Sequence, residues 1–272
     1  MKYTKIAMYA TPGNLRSNLG LSGTLESCIE DVTRAGYDGI ELNILEPAKI
    51  DSAKLLDYVR SHNLEISALA TGITHSALGW SFTDHDKTIR EKAVMRIREF
   101  IELASRLSVK TVIVGRVRGK IESSGDATEQ KNWLFDAMQR CAKSAEDYGV
   151  RLAVEPMSKT ITNVLNNVAE TTEFLKKLGS PQVGILADTW HMNGEEDSII
   201  AALVAAKSYL FHVHFADNQR RAPGTGNLHF GEIINTLKIL DYAGYITVEC
   251  LPLPSAEFML RKSSNYIRSL LM

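Results

Sequence analysis

The chain alternates eight times between a short, apolar, β-branched run and a longer amphipathic stretch. The eight short runs are predicted strands at residues 5–10, 39–42, 65–71, 111–115, 151–155, 183–188, 210–215 and 246–251. The stretches that follow them have helical spacing and are predicted helices at residues 25–35, 52–62, 88–107, 132–148, 168–178, 195–206, 233–243 and 256–271. Strands that alternate with helices indicate a parallel sheet covered by helices, and eight such units favour closure into a (β/α)8 barrel.

The length of 272 residues fits one such barrel. We predict a single domain over residues 1–272, since α/β barrels of about 250 residues fold as one domain. A doubly wound open sheet is the rival architecture, and it would be expected to have a glycine-rich turn directly after the first strand. The sequence has no such turn there. Residues 12–23 are interpreted as a loop, and this leaves open whether they form a lid or only a solvated connection.

Composition argues against several classes of partner. Lys and Arg number 31 and Asp and Glu number 32, so the formal charge is −1 and lacks the basic excess usual in nucleic-acid-binding proteins. No apolar stretch approaches the roughly 20 residues of a membrane span, and the apolar run at the start is too short for a signal peptide. The three cysteines suggest neither a disulfide framework nor a thiolate zinc site. We therefore expect a cytoplasmic protein without membrane or nucleic-acid partners.

Polar side chains lie at the ends of four neighbouring predicted strands, the fifth to the eighth. They are, in chain order, Glu155, Asp188, His214 and Glu249. Active-site residues of (β/α)8 barrels project from the C-terminal ends of the strands, so these four side chains are expected to converge. Buried carboxylates repel one another unless a cation compensates them, and three oxygens with one imidazole suit Mn²⁺, Mg²⁺ or Co²⁺. The sequence predicts a divalent metal site, with Mn²⁺ favoured, although Asp188 alone could instead cap the next helix.

Several segments resemble a known family. They are VEPM at 154–157, GILADTWHMN at 184–193, HVHFADNQR at 212–220, APGTG at 222–226 and VECLP at 248–252. Together they resemble the xylose-isomerase-like sugar isomerase/epimerase superfamily, in particular its D-tagatose/D-psicose 3-epimerase branch, and the resemblance runs essentially end to end. Within that branch, VGRVRGK at 114–120 and ECLPLP at 249–254 are similar to the 5-keto-L-gluconate epimerases.

The resemblance implies roles for individual residues. The resemblance implies that the four strand-end residues already named bind the metal. It also implies that Glu155 and Glu249 face opposite sides of a substrate carbon and exchange its proton. His191 and Arg220 would contact substrate oxygens near the metal. The substrate would be a small sugar or sugar acid, and the protein would be a homo-oligomer. One departure is Ile161, which stands where the family has a second glutamate that helps to hold the substrate.

The chemistry of such a site follows from the acidity of a carbon next to a ketone. A metal ion that coordinates the carbonyl stabilises the cis-enediolate, and a carboxylate removes the proton as a general base. A second carboxylate on the opposite face returns the proton and inverts the centre. If one carboxylate instead moves the proton between adjacent carbons, the result is aldose–ketose isomerisation. The residues permit both outcomes, and the resemblance favours epimerisation.

Other side chains have more than one interpretation. Arg116 and Arg118 follow the fourth strand and are either solvated or able to bind a carboxylate through the planar guanidinium. With Ile161 removing a negative charge, we predict that Arg118 binds anionic keto sugar acids in preference to neutral ketohexoses. His212 lies one layer below His214 and is predicted to support the metal site from behind. Three further side chains could belong to the site or only to the core: Glu41, Trp80 and Trp190.

Alternative functions remain open at this stage. A hydroxypyruvate-type isomerase or a dehydroshikimate-type dehydratase would use the same barrel and the same strand-end ligands. A non-catalytic sugar-binding barrel would leave the two proton-exchanging carboxylates without a purpose, and the fold alone does not exclude it. An endonuclease-IV-like repair enzyme would need extra histidines after earlier strands, where only His75 is present. Metal-dependent epimerisation of a ketose or keto sugar acid is the function that the sequence favours.

Overall fold

The computed structural model describes residues 4–13 and 17–272. In that part of the chain the strands are β1 (Lys5–Pro12), β2 (Leu21–Gly23), β3 (Gly39–Asn43), β4 (Glu65–Ala70), β5 (Thr111–Val114), β6 (Arg151–Val154), β7 (Val183–Asp188), β8 (Leu210–Phe215) and β9 (Tyr245–Val248). The α-helices are α1 (Leu25–Arg34), α2 (Ser52–Ser61), α3 (Gly72–Leu78), α4 (Lys87–Arg106), α5 (Ala127–Asp147), α6 (Val168–Leu178), α7 (Thr189–Glu195), α8 (Ile199–Ala206), α9 (Phe230–Ile239) and α10 (Ala256–Leu271). Among these helices, none is at once long and apolar enough to cross a membrane.

Eight of the strands form a closed parallel barrel. Strands β1 and β3 to β9 pair in chain order, and β1 also pairs with β9, which closes the ring. The short strand β2 lies outside the ring and extends the C-terminal end of β1, where Ala10 is opposite Leu21. The predicted (β/α)8 barrel is therefore confirmed, and each barrel strand coincides with one of the eight apolar runs.

Alternation along the strands separates the inside of the barrel from the helix-covered outside. On β8, Val213 and Phe215 pack in the large core between sheet and helices, so His214 between them points inward. The interior holds a small apolar cluster made of Tyr9, Ala68, Ala70, Ile113, Ala153 and Leu186. Residues two positions beyond the inward Ala153 and Leu186 are Glu155 and Asp188, which brings both carboxylates to the C-terminal mouth.

Several local features differ from the sequence-based expectation. The predicted loop at 12–23 contains strand β2, and its interpretation as a lid falls partly on residues outside the described part of the chain. The predicted helix at 195–206 begins later, at Ile199, because Ser198 caps α8 by accepting the Ala201 N–H, and Glu195 is instead the last residue of α7. Helix α5 begins at Ala127, earlier than predicted, because the Asp126 carboxylate caps its first turn. Helices α3 and α7 were not predicted.

Candidate metal centre and active site

The four predicted metal ligands meet at the C-terminal mouth of the barrel. Their ligand atoms all lie within 4.8 Å of one another, and all four residues are buried. From His214 Nδ1, the distances are 3.3 Å to Glu249 Oε2, 3.8 Å to Asp188 Oδ2 and 4.0 Å to Glu155 Oε1. The structure therefore brings together one imidazole nitrogen and three carboxylates, each from a different strand end.

The unpaired atoms of this cluster match a metal's requirements. Within the described residues, Glu155 Oε1, Asp188 Oδ2 and His214 Nδ1 are buried and have no hydrogen-bond partner. Buried polar atoms without partners are costly, and here they face one common point. The two oxygens of Asp188 have different partners. Oδ1 accepts the N–H groups of Trp190 and His191 and so caps α7, while Oδ2 faces the cluster. The donor set fits a divalent cation that prefers oxygen and imidazole ligands.

The charges of the cluster are poorly compensated. Burial, together with the carboxylates of Glu249 and Asp188, raises the pKa of Glu155 to about 8. Burial alone would lower the pKa of His214, but the nearby carboxylates, Glu41 first, outweigh it and raise that pKa. A divalent cation at this point would stabilise the ionised form of Glu155, whose carboxyl group otherwise favours a bound proton.

Arg220 brings a guanidinium charge to the cluster. Its guanidinium lies 2.8 Å from Asp188 Oδ2, although the two are not aligned for a hydrogen bond, and it donates to Glu249 Oε2. Arg220 and the preceding Gln219 both have left-handed backbone conformations, with φ of 57° and 58°. Such strain in non-glycine residues is characteristic of functional segments, and here it accompanies a side chain that lies in the mouth beside two of the predicted ligands.

His191 lies at the other side of the cluster, on α7. Its Nδ1 accepts the backbone N–H of Ser158 at 3.0 Å, so the proton of the neutral ring is on Nε2. That Nε2 lies 3.7 Å from Glu155 Oε1. Burial lowers the pKa of His191 to about 4, which keeps the ring neutral at physiological pH. The side chain thus offers one fixed N–H donor beside the predicted ligands.

The layer below the four predicted ligands contains Glu41 and His212. His212 Nε2 lies 2.8 Å from Glu41 Oε2 and 3.0 Å from the Thr247 hydroxyl. His214 uses its own Nε2 on the same carboxylate, 3.0 Å from Glu41 Oε1. Glu41 therefore lies directly beneath the site, in contact with one of the predicted ligands, and His212 lies where the sequence placed it, behind His214.

A cavity of about 500 Å³ opens above the cluster, within the range typical of small-molecule sites. Trp190 lines it, whereas Trp80 does not and instead packs beside Arg96. Tyr9 on β1 also lines the cavity and was not predicted, because its position in an apolar strand resembles that of a core residue. At the outer end the cavity is lined by Arg116, Ser76 and Ile161, all of them exposed.

The structure contradicts the prediction that Arg118 contacts a substrate. Its side chain is buried, only 1% exposed, and lies beneath the loop that follows β6 rather than in the cavity. The guanidinium donates to the backbone carbonyls of Glu155, Val164 and Leu165. Its donors are therefore engaged within the protein, and Arg116 is the arginine of this segment that lines the cavity.

Replacing Arg118 with methionine is expected to destabilise the protein without discriminating between substrates. The change leaves three carbonyls without their donor, and each buried unsatisfied group costs about 1–3 kcal/mol. We expect a loss of about 2–4 kcal/mol in the free energy of unfolding, measured by urea denaturation. An unchanged stability with a KM that rises only for acidic substrates would instead restore Arg118 as a substrate contact.

Comparisons with known proteins identify relatives of the whole chain. An L-ribulose 3-epimerase of Methylomonas sp. is 31% identical over 243 residues, covering 87% of this chain and 81% of that protein. A D-psicose 3-epimerase of Agrobacterium fabrum is 27% identical, covering 81% and 77% respectively. A solved D-allulose 3-epimerase from Methylomonas sp., in complex with D-allulose, superposes with a TM-score of 0.79 at 25% identity and covers 99% of both chains.

The family model described as the xylose isomerase-like TIM barrel matches residues 29–270. The chain belongs to this family, as the sequence resemblance implied. Because its relatives are epimerases, it is an enzyme of the isomerase class, which argues against the non-catalytic sugar-binding barrel. The homo-oligomeric state and the cytoplasmic location remain predictions.

Proposed function

We propose that this chain is a divalent-metal-dependent epimerase that inverts a carbon next to the carbonyl of a ketose or keto sugar acid. The observation that carries the proposal is a set of three buried ligand atoms that face Glu249 at the floor of the cavity. None of the three has a hydrogen-bond partner in the described part of the chain. Four convergent ligands favour a metal, and two carboxylates at the same cavity favour proton exchange. The relatives named above are epimerases of ketoses, which is consistent with this chemistry.

The two proposed proton-exchanging residues approach the cavity from different sides. Glu155 follows β6 and Glu249 follows β9, and two further strands separate β6 from β9 around the barrel. One carboxylate accepts the proton of the substrate carbon as a general base, and the other, in its protonated form, returns a proton to the opposite face. Removal on one face and delivery on the other inverts the carbon.

The neighbouring side chains orient the substrate for this exchange. The fixed N–H donor of His191 faces the Glu155 side of the cavity, where it would donate to a substrate oxygen. Arg220 would stabilise negative charge on a second oxygen from the Glu249 side, which is where its guanidinium already lies. When bound, the divalent cation would polarise the substrate carbonyl and stabilise the charge that develops on deprotonation. We propose Mn²⁺ as this cation because the ligands are oxygens and one imidazole.

The charge at the outer end of the cavity bears on the substrate class. Arg116 donates to the Ser76 hydroxyl at 3.2 Å and lines the same cavity as Ile161. Because residue 161 is an isoleucine, it contributes no carboxylate that would repel an anionic group there. We propose that keto sugar acids are accepted at least as well as neutral ketoses. Arg116→Met is then expected to raise KM for a keto sugar acid about tenfold, while the KM for a neutral ketose changes less than twofold, as measured in parallel steady-state assays. Equal effects on both substrates would contradict this assignment.

The function is tested by incubating the Mn²⁺-loaded enzyme with a panel of ketoses and keto sugar acids in D₂O. Proton exchange through carboxylates predicts an epimer that carries deuterium at the inverted carbon, which ¹H and ¹³C NMR detect. An aldose product would identify a hydroxypyruvate-type or other aldose–ketose isomerase, and loss of water would identify a dehydratase. The absence of any conversion or deuterium exchange over the panel would contradict the proposed function.

A further inference from the structure

A carboxylate inside the barrel connects two histidines across the interior. Glu41 is on β3, its side chain is fully buried, and it contacts His212 and His214 on β8. Its Oε2 lies 2.8 Å from His212 Nε2, and its Oε1 lies 3.0 Å from His214 Nε2. Glu41 lies below the predicted ligands and is not among the residues that line the cavity. A direct contact with the substrate therefore does not explain why an acid is buried here.

The hydrogen-bond inventory fixes where the histidine protons are. An ionised carboxylate only accepts, so each ring nitrogen that contacts Glu41 must be the donor. His214 therefore has its proton on Nε2. A histidine that binds a metal is neutral and has one ring proton, so Nδ1 would then carry the lone pair. Nδ1 is also the atom that faces Glu249 and Asp188, and it has no hydrogen-bond partner among the described residues. The contact of Nε2 with Glu41 therefore fixes the ring in the orientation that directs Nδ1 toward the other predicted ligands.

We infer that Glu41 is a positioning residue for the metal centre, which accepts the Nε2 proton of His214 and thereby holds the unprotonated Nδ1 toward the metal. The inference rests on the proposed metal site and adds a residue that never touches the metal or the substrate. A carboxylate behind a ligating histidine fixes the ring and increases its basicity, and losing such a partner typically weakens metal binding about 10–100-fold.

Glu41→Gln separates this role from simple core filling, because the side chains have nearly the same size. A glutamine has one accepting oxygen for two Nε2–H donors, and its NH₂ group must then face one of the rings. If that ring is His214, its proton moves to Nδ1 and blocks the ligand atom. We expect the Kd for Mn²⁺ to rise about 10–100-fold, measured by electron paramagnetic resonance of free Mn²⁺.

Two further variants complete the comparison. Glu65→Gln is the matched control, since it makes the same change of charge on the next strand, at an exposed site where Glu65 pairs with Lys5. It should bind Mn²⁺ like the unaltered protein. Glu41→Asp keeps the charge and should recover part of the lost affinity. If the unaltered protein binds Mn²⁺ and Glu41→Gln binds it within twofold of that value, the role of Glu41 is refuted while the proposed function stands.

A measurement on the unaltered sequence makes the test independent of how well a variant folds. With ¹⁵N-labelled histidine and Mg²⁺ bound, the two nitrogens of His214 report which one carries the proton, and His214→Gln identifies its signals. We expect a protonated Nε2 and an unprotonated Nδ1. A proton on Nδ1 would overturn the inference, and if the unaltered protein bound neither Mg²⁺ nor Mn²⁺ the proposed metal site itself would fail.

Discussion

Replacing Glu249 with glutamine is expected to lower kcat about 10²–10⁴-fold, because an amide does not accept the substrate proton that a carboxylate accepts. The side chain keeps its size and retains an oxygen for Arg220, so the fold should be preserved. Steady-state kinetics measures the loss, and deuterium exchange into substrate in D₂O measures the proton transfer directly. Both should fall together.

Two controls separate the loss of proton transfer from a loss of metal binding and from a general effect of removing a charge. Glu249 is also a proposed metal ligand, so the Kd for Mn²⁺ must be measured and the variant assayed with the site saturated. Glu257→Gln makes the same change of charge at an exposed position on α10, where Glu257 pairs with Arg261, and should retain full activity. If Glu249→Gln turned over substrate within threefold of the unaltered enzyme when saturated with metal, Glu249 would not be a proton-exchanging residue.

Removing the metal is expected to reduce activity at least about 100-fold. Lewis-acid stabilisation of developing charge contributes several kcal/mol, and about 2.7 kcal/mol corresponds to a factor of 100 in rate. Dialysis against a chelator should abolish turnover and Mn²⁺ should restore it. A second readout does not depend on activity, because Mn²⁺ at 100 times its Kd should stabilise the folded protein by about 2.7 kcal/mol. Full activity after verified removal of metal would contradict the metal-dependent mechanism.

Local pattern was sufficient to predict the barrel and the four predicted metal ligands at its mouth. Every barrel strand is an apolar run that ends at a change of polarity, and the inward side of a strand follows from alternation once one inward residue is known. Asp188 illustrates the limit of this reasoning. The sequence left open whether Asp188 caps a helix or faces the site. In the structure it does both, since Oδ1 caps α7 and Oδ2 faces the other predicted ligands.

Contacts between distant segments could not be predicted from one sequence. Glu41 and His214 are separated by 173 positions, so nothing local connects the carboxylate to the ring that it contacts. The prediction for Arg118 was wrong for the same reason, because the sequence of a basic segment is the same whether its side chains are solvated or buried. The carbonyls that bury it belong to a loop 37–47 positions further along the chain, whose path depends on the whole barrel.

The central claim is tested most directly by a crystal structure of the Mn²⁺-soaked protein with anomalous scattering data. The account predicts one strong anomalous peak at the barrel mouth, coordinated by four side chains at about 2.0–2.3 Å. The four ligands would be Glu155, Asp188, His214 and Glu249, with Nδ1 as the ligand atom of the histidine. A peak elsewhere, or one that leaves any two of these side chains uncoordinated, would contradict the account.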